Sequence, residues 1–188
     1  GYLMCGIMVA EIIAAAPLFA CTMLSFFRKI RSIARIGAVL FMAMALGIGV
    51  YGAIDGNCSE EVAHVDVYVE GLPEAFDGYK AAQMTDTHIG PYFRYTDLPG
   101  EIRKARLEGA QVLFFTGDLI DDIRHMPEAA QTLSTFYSVF PDGIFYVWGN
   151  HEYYRGKDYI EEELEKTPGQ ILANEHRAIT RNGETLSG

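Results

Sequence analysis

Val112-Leu-Phe-Phe-Thr-Gly-Asp118-Leu-Ile-Asp121 is the stretch on which the fold turns. A continuous apolar run of strand length reads as a strand buried on both faces, and it ends in a glycine and two carboxylates. The same form recurs on either side. Tyr79 to Met84 runs into Thr85-Asp86-Thr-His88, and Ile144 to Trp148 runs into Gly149-Asn150-His151-Glu152. Asp86, Asp118 and Asn150 follow one another at intervals of 32 positions, about one strand–helix repeat each. Strands that end in polar residues on that period set those residues side by side along one edge of a sheet.

The intervening segments read as helices. Leu98 to Leu107 is expected to be capped by Asp97, with Pro99 in its first turn and Gly109 as its stop. Pro127 to Phe140 carries Ala130, Leu133, Phe136, Tyr137 and Phe140 at helical spacing, and Asp158 to Lys166 is a charged helix that stops before Pro168. Val62 to Glu70, with Val65, Val67 and Val69 alternating against polar residues, predicts a half-buried strand. Gln170 to Asn174 and Arg177 to Thr180 are further strand candidates. Buried strands separated by helices define an α/β domain with a largely parallel sheet, and such sheets gather ligands at the carboxyl ends of their strands.

Charge divides the chain. The 188 residues carry 15 Lys+Arg and 25 Asp+Glu, a net charge of -10. Residues 1–54 hold Glu11 against Arg28, Lys29, Arg31 and Arg35, a net of +3, and the remainder holds a net of -13. Leu3 to Phe27 is broken only by Glu11 and Pro17, and Ile36 to Ile54 carries no charge. Each is long enough, at roughly 20 residues, to span a bilayer as a helix. A signal peptide fits the first poorly, because its basic cluster follows the apolar run. Two transmembrane helices over 3–27 and 36–54 are expected, joined by a basic cytoplasmic loop over 28–35. A linker over 55–61 then leads to a polar domain over 62–188 outside the cytoplasmic membrane. Ala45, Gly49 and Ala53 repeat at four-residue spacing, which favours helix–helix pairing in the membrane. The acidic polar domain excludes general nucleic-acid binding, which needs a basic face. Cys5, Cys21 and Cys58 form no Cys-x-x-Cys, which excludes thiolate zinc sites and dithiol redox motifs.

Carboxylates, an imidazole and an amide oxygen at one sheet edge point to a metal centre. Asp86 and His88, two apart on a segment expected to be extended, would present their side chains on one face to a single ion. Gly117 lets the chain turn and aim Asp118, whose two oxygens can bridge two cations. Asn150 offers a neutral oxygen to a second ion, His151 can point at substrate, and Asp121 can orient an imidazole from behind. His64, His125 and His176 read as surface or structural residues. Arg94 and Arg124, each a few residues past a polar tip, are candidate phosphate contacts.

Asp-x-His, Gly-Asp-x-x-Asp and Gly-Asn-His-Glu resemble the first three blocks of the calcineurin-like metallophosphoesterase superfamily. Phe76-Asp-Gly-Tyr-Lys80 leading into Met84-Thr-Asp-Thr-His-Ile-Gly90 is similar to its bacterial membrane-anchored branch. The resemblance implies the N-terminal half of an αββα sandwich and a site for two divalent ions, manganese, iron or zinc. It implies Asp86 and His88 on the first metal, Asp118 bridging and Asn150 on the second. It also implies His151 at the phosphoryl oxygen or leaving group with Asp121 in support. The implied activity is hydrolysis of a phosphomonoester or phosphodiester by hydroxide activated between the two metals. A substrate of lipid or cell-envelope origin would suit a domain beside the outer leaflet. The superfamily's later histidines, in Gly-His and Gly-His-x-His, have no counterpart here, since His176 stands in Glu175-His176-Arg177. The chain is therefore expected to be a fragment of a longer protein and inactive alone. The alternative is a non-catalytic membrane protein whose degenerate phosphoesterase-like domain binds a metal or a partner.

Overall fold

The computed structural model describes residues 2–27, 29–58 and 62–187, with side chains placed for 8–27, 29–52 and 62–186. Arg28 of the basic loop, residues 59–61 of the linker, and the side chains of Cys5, Ala53 and Cys58 lie outside the described residues. The chain divides into two compact units, Gly1–Asp66 and Val67–Gly188.

The first unit is a helical hairpin of α1 (Tyr2–Leu24) and α2 (Arg31–Cys58). Ala10, Ala14 and Ala45 are buried between them beside Leu18, and Gly37 lies against Cys21. Small side chains let the two helices approach closely, while Ile12, Phe19, Ile33, Val39 and Leu40 point outward. An apolar exterior over a small-residue seam inverts the pattern of a water-soluble hairpin. Arg31–Gly52 of α2 is long and apolar enough to cross a membrane. Helix α1, 23 residues with Pro17 inside it, carries the apolar run Met8–Leu24 among the residues with described side chains. Among those residues, one helix of the expected pair meets the length criterion. Helix α2 also takes in Arg31 and Arg35 of the expected loop and Asp55–Cys58 of the expected linker.

The second unit is α/β. Strands β1 (Ala81–Met84), β2 (Val112–Thr116), β3 (Ile144–Val147) and β4 (Gln170–Ile171) form one parallel sheet in sequential order. Helix α3 (Leu98–Leu107) connects β1 to β2, and α4 (Met126–Phe136) connects β2 to β3. Helices α5 (Asn150–Arg155) and α6 (Lys157–Glu165) lead on to β4. Helix α3 packs on α4 and α4 on α6. Their apolar faces (Leu98, Ile102, Ala129, Leu133, Ile160, Leu164) close over Leu113, Phe115, Ile144 and Tyr146 of the sheet. Full burial of each Leu, Ile or Phe side chain is worth about 1.5–3 kcal/mol, so this layer fixes the unit. The register pairs Phe114 with Phe145 and Phe115 with Tyr146, and both pairs stack, at 5.6 and 5.7 Å.

Several elements depart from their sequence-based form. Val62–Glu70 joins no strand among the described residues and is exposed along its length, because alternation specifies a surface and not the neighbour that must cover it. Asp97 makes no cap bond. Its carboxylate instead accepts from the backbone N–H and the guanidinium of Arg94. Helix α4 stops at Phe136 and tightens into a 3₁₀ turn over Tyr137–Val139. Only Gln170–Ile171 of the Gln170 to Asn174 segment pairs. Ala178–Arg181 is β5, and it forms an antiparallel hairpin with β6 (Glu184–Ser187). Asn182 and Gly183, both at positive φ (49° and 85°), close it as a two-residue turn of the kind that matches strand twist.

Candidate metal centre

All three polar tips lie at the carboxyl edge of the sheet, after β1, β2 and β3. They are joined by backbone bonds: Asp86 N–H donates to Gly117 C=O, His88 N–H to Asp118 C=O and Ile89 N–H to Leu119 C=O. Asp86, His88 and Asp118 have φ of 53°, 44° and 53°, the left-handed region. The segment Asp86–His88 is thus not extended, and the two side chains converge through left-handed backbone rather than through strand alternation. Left-handed backbone at residues other than glycine is uncommon, and where it costs energy it persists only if the surroundings impose it.

The surroundings here are two glycines and a buried glutamate. A Cβ on Gly117 would stand 2.6 Å from Gly149 Cα, and a Cβ on Gly149 would stand 2.5 Å from Asp118 N. The loops after β2 and β3 therefore touch backbone to backbone. Glu152, 2% exposed, accepts from three N–H groups across that contact. They belong to Asp118 (2.9 Å), Leu119 (2.8 Å) and Gly149 (2.7 Å). A buried carboxylate is tolerated when its lone pairs are filled in this way. Asp118 Oδ1 returns the link by accepting the His151 N–H at 2.9 Å. Glu152 stands in the Gly-Asn-His-Glu block, yet sequence reasoning assigned it no role. Its position three residues after the helix N-cap is the signal that marks it.

Within this frame His88, Asp118 and His151 offer ligand atoms all within 4.8 Å of one another. Asp121 Oδ1 lies 2.5 Å from His151 Nδ1 and 3.4 Å from His88 Nδ1. Burial pushes the Asp121 carboxyl up, but hydrogen bonds from His151 and His88 outweigh it and hold it below the usual range. Asp121 is therefore an ionised acceptor, so the Nδ1 atoms that face it are the donors. His88 Nε2 then faces Asp86 Oδ1 and Asp118 Oδ2, each at 3.7 Å. A ring nitrogen and two carboxylate oxygens converge there, a donor set that a divalent cation fits. The Asn150 amide also faces Asp118, and with its NH₂ turned inward it donates to Oδ2 at 3.1 Å and Oδ1 at 3.3 Å. The oxygen and nitrogen donors of Asp86, His88, Asp118 and Asn150 fit divalent metal ions, and the imidazole–carboxylate backing of His88 fits a ligand held from behind.

Arg94 and Arg124 are engaged elsewhere. Arg94 is paired with Asp97, and Arg124 with Asp122, whose carboxyl it pulls down to about 2. Arg155, not singled out by sequence, reaches the site instead, with its guanidinium 3.4 Å from Asp121 Oδ1.

A parallel sheet with a carboxylate, imidazole and amide cluster at its carboxyl edge is the frame of a candidate metal site. The family model for calcineurin-like phosphoesterases matches residues 79–183, and the chain belongs to that family. An uncharacterized metallophosphoesterase of Campylobacter jejuni is 32% identical over 130 residues, which cover 68% of this chain and 33% of that protein. A transmembrane protein with a metallophosphoesterase domain from Danio rerio is 27% identical over 149 residues, covering 78% and 34%. A similarly described protein from Bos taurus is 28% identical over 127 residues, covering 67% and 28%. The chain thus spans about a third of the length of these curated relatives. No solved structure matches it.

Proposed function

We propose that this chain is part of a membrane-anchored, metal-dependent phosphoesterase acting on a phosphomonoester or phosphodiester. The observation that supports this reading best is the convergence of His88 Nε2 with Asp86 Oδ1 and Asp118 Oδ2, each at 3.7 Å. Asp86 and His88 would hold one divalent ion, Asp118 would bridge, and Asn150 would hold the second. When bound, such ions supply a nucleophile at neutral pH and offset charge on the phosphoryl group.

The chain's own residues do the rest. Asp118, fixed between two loops, keeps its two carboxylate oxygens toward neighbouring positions. His151 is held through Nδ1 against Asp121, which leaves its Nε2 as the atom that would carry a proton to the leaving oxygen, a transfer worth about 10²–10⁴ in rate. Asp121 fixes the ring plane of both His151 and His88.

The helical hairpin would anchor the domain as a two-span element. Its basic turn would lie in the cytoplasm and its catalytic domain outside, beside the outer leaflet. A lipid- or envelope-derived phosphate ester fits that location. Turnover of an aryl phosphate by the whole protein in detergent tests the reading. Manganese should support it, chelation should abolish it, and Asp118→Asn should abolish it with the fold intact. Absence of metal-dependent turnover in the whole protein would leave a metal- or partner-binding domain as the better account.

A further inference from the structure

We infer that Arg155 is the substrate-recognition residue of this site and selects a phosphomonoester dianion over a diester. This rests on the phosphoesterase reading above. Arg155 is four residues after His151 on α5, so both side chains leave the same face of the helix. Its place is fixed at both ends of that helix. Glu152 and Asp118 clamp the start of α5, and Gly156, at φ 114°, ends it directly after Arg155.

The guanidinium is present at the site but weakly held. Its hydrogen-bond contact among the described residues is Nη2 to Asp121 Oδ1 at 3.4 Å, at the limit of a hydrogen bond. That oxygen already accepts from His151 at 2.5 Å. The side chain is 46% exposed, which leaves most of its five donors to solvent. Arg94 and Arg124 are held by their own carboxylates, and Lys157 lies over Trp148 and pairs with Glu161. Among the described residues, a phosphate approaching this acidic domain therefore meets the weakly held guanidinium of Arg155 beside the ligand group.

Chemistry decides what that guanidinium reads. A phosphate ester that gives two oxygens to the ligand group turns the rest of its phosphoryl group outward. A monoester turns out a third anionic oxygen, and a diester turns out a second ester oxygen. A planar guanidinium forms charge-assisted bonds with the first and gains little from the second. Arg155 can leave Asp121 for that oxygen without unpairing it, because His151 remains.

The test compares the manganese-loaded whole protein with Arg155→Gln and Arg155→Lys. Calorimetric titration at about pH 8, where inorganic phosphate is mainly dianionic, measures inorganic phosphate and dimethyl phosphate binding. Arg155→Gln should weaken inorganic phosphate about tenfold or more and change dimethyl phosphate less than about twofold, with manganese affinity unchanged and Arg155→Lys in between. Turnover should follow, with kcat/KM falling for 4-nitrophenyl phosphate and holding for bis(4-nitrophenyl) phosphate. Equal weakening of both anions, unchanged phosphate binding, no phosphate binding by the wild-type protein, or a parallel loss of manganese would each overturn the assignment. If the wild-type protein binds phosphate but turns over neither ester, the phosphoesterase reading fails while the binding ratio still judges Arg155.

Discussion

Left-handed backbone at non-glycine residues occurs in two settings among the described residues: at the sheet edge, in Asp86, His88 and Asp118, and away from it, in Asn174 and Asn182. The second setting uses asparagine, which tolerates that region, and Asn182 needs it to close a two-residue hairpin. The first setting lies in no hairpin. There the conformation aims side chains at one place, and the cost is offset by bonds from outside the loops. Local sequence therefore accounts for the hairpin tip. Contact between loops 30 or more residues apart accounts for the arrangement of the candidate metal site.

The sharpest way to break this comparison is to separate the two loops. Gly149→Ala puts a methyl 2.5 Å from Asp118 N, where only backbone can yield. We expect a loss of about 3 kcal/mol in chemical denaturation together with loss of manganese binding. A stability change below about 1 kcal/mol would show that the loops are not pressed together.

Glu152→Gln is expected to rank next. It keeps the shape of the clamp but turns an amide NH₂ toward three N–H donors. A cost of about 2 kcal/mol, with manganese affinity falling along with it, would confirm that Asp118 is held from behind. Stability lost with metal binding intact would count against that role.

The smallest effect compares glycine with alanine at the two settings. Asp86→Gly should be about 1 kcal/mol more stable than Asp86→Ala, and Asn182→Gly should exceed Asn182→Ala by a similar margin, because alanine alone meets the left-handed penalty. Both Asp86 variants should lose metal, and neither Asn182 variant should. An Asp86→Ala as stable as Asp86→Gly would mean the loop relaxes once the carboxylate is gone.

Much of the second unit was legible in the chain. The apolar runs ending at Met84, Thr116 and Val147 became adjacent parallel strands because each is followed by a helix that returns it to the same edge. Leu98–Leu107 formed as read, bounded by Pro99 and by Gly109 at φ 92°. Val62–Glu70 did not become a strand. Its pattern is as regular as that of any strand that formed, but a strand exists only with a neighbour to accept its bonds. Asp86 and His88 came together as expected but by a different path. The alternation argument needed an extended segment, and the bonds to Gly117 and Asp118 carbonyls impose another conformation.

The sequence by itself determined which residue types stand at the tips of which strands, and hence the candidate donor set and the family resemblance. Strand termini and ligand identity are local properties of the chain, set by periodicity and side-chain donors. Only the tertiary structure decided how those donors face one another: the left-handed turns, the contact of Gly117 with Gly149, the burial of Glu152 and the reach of Arg155 to Asp121. Each of these depends on distances between segments remote in sequence, and packing of the sheet against its helices is what fixes them.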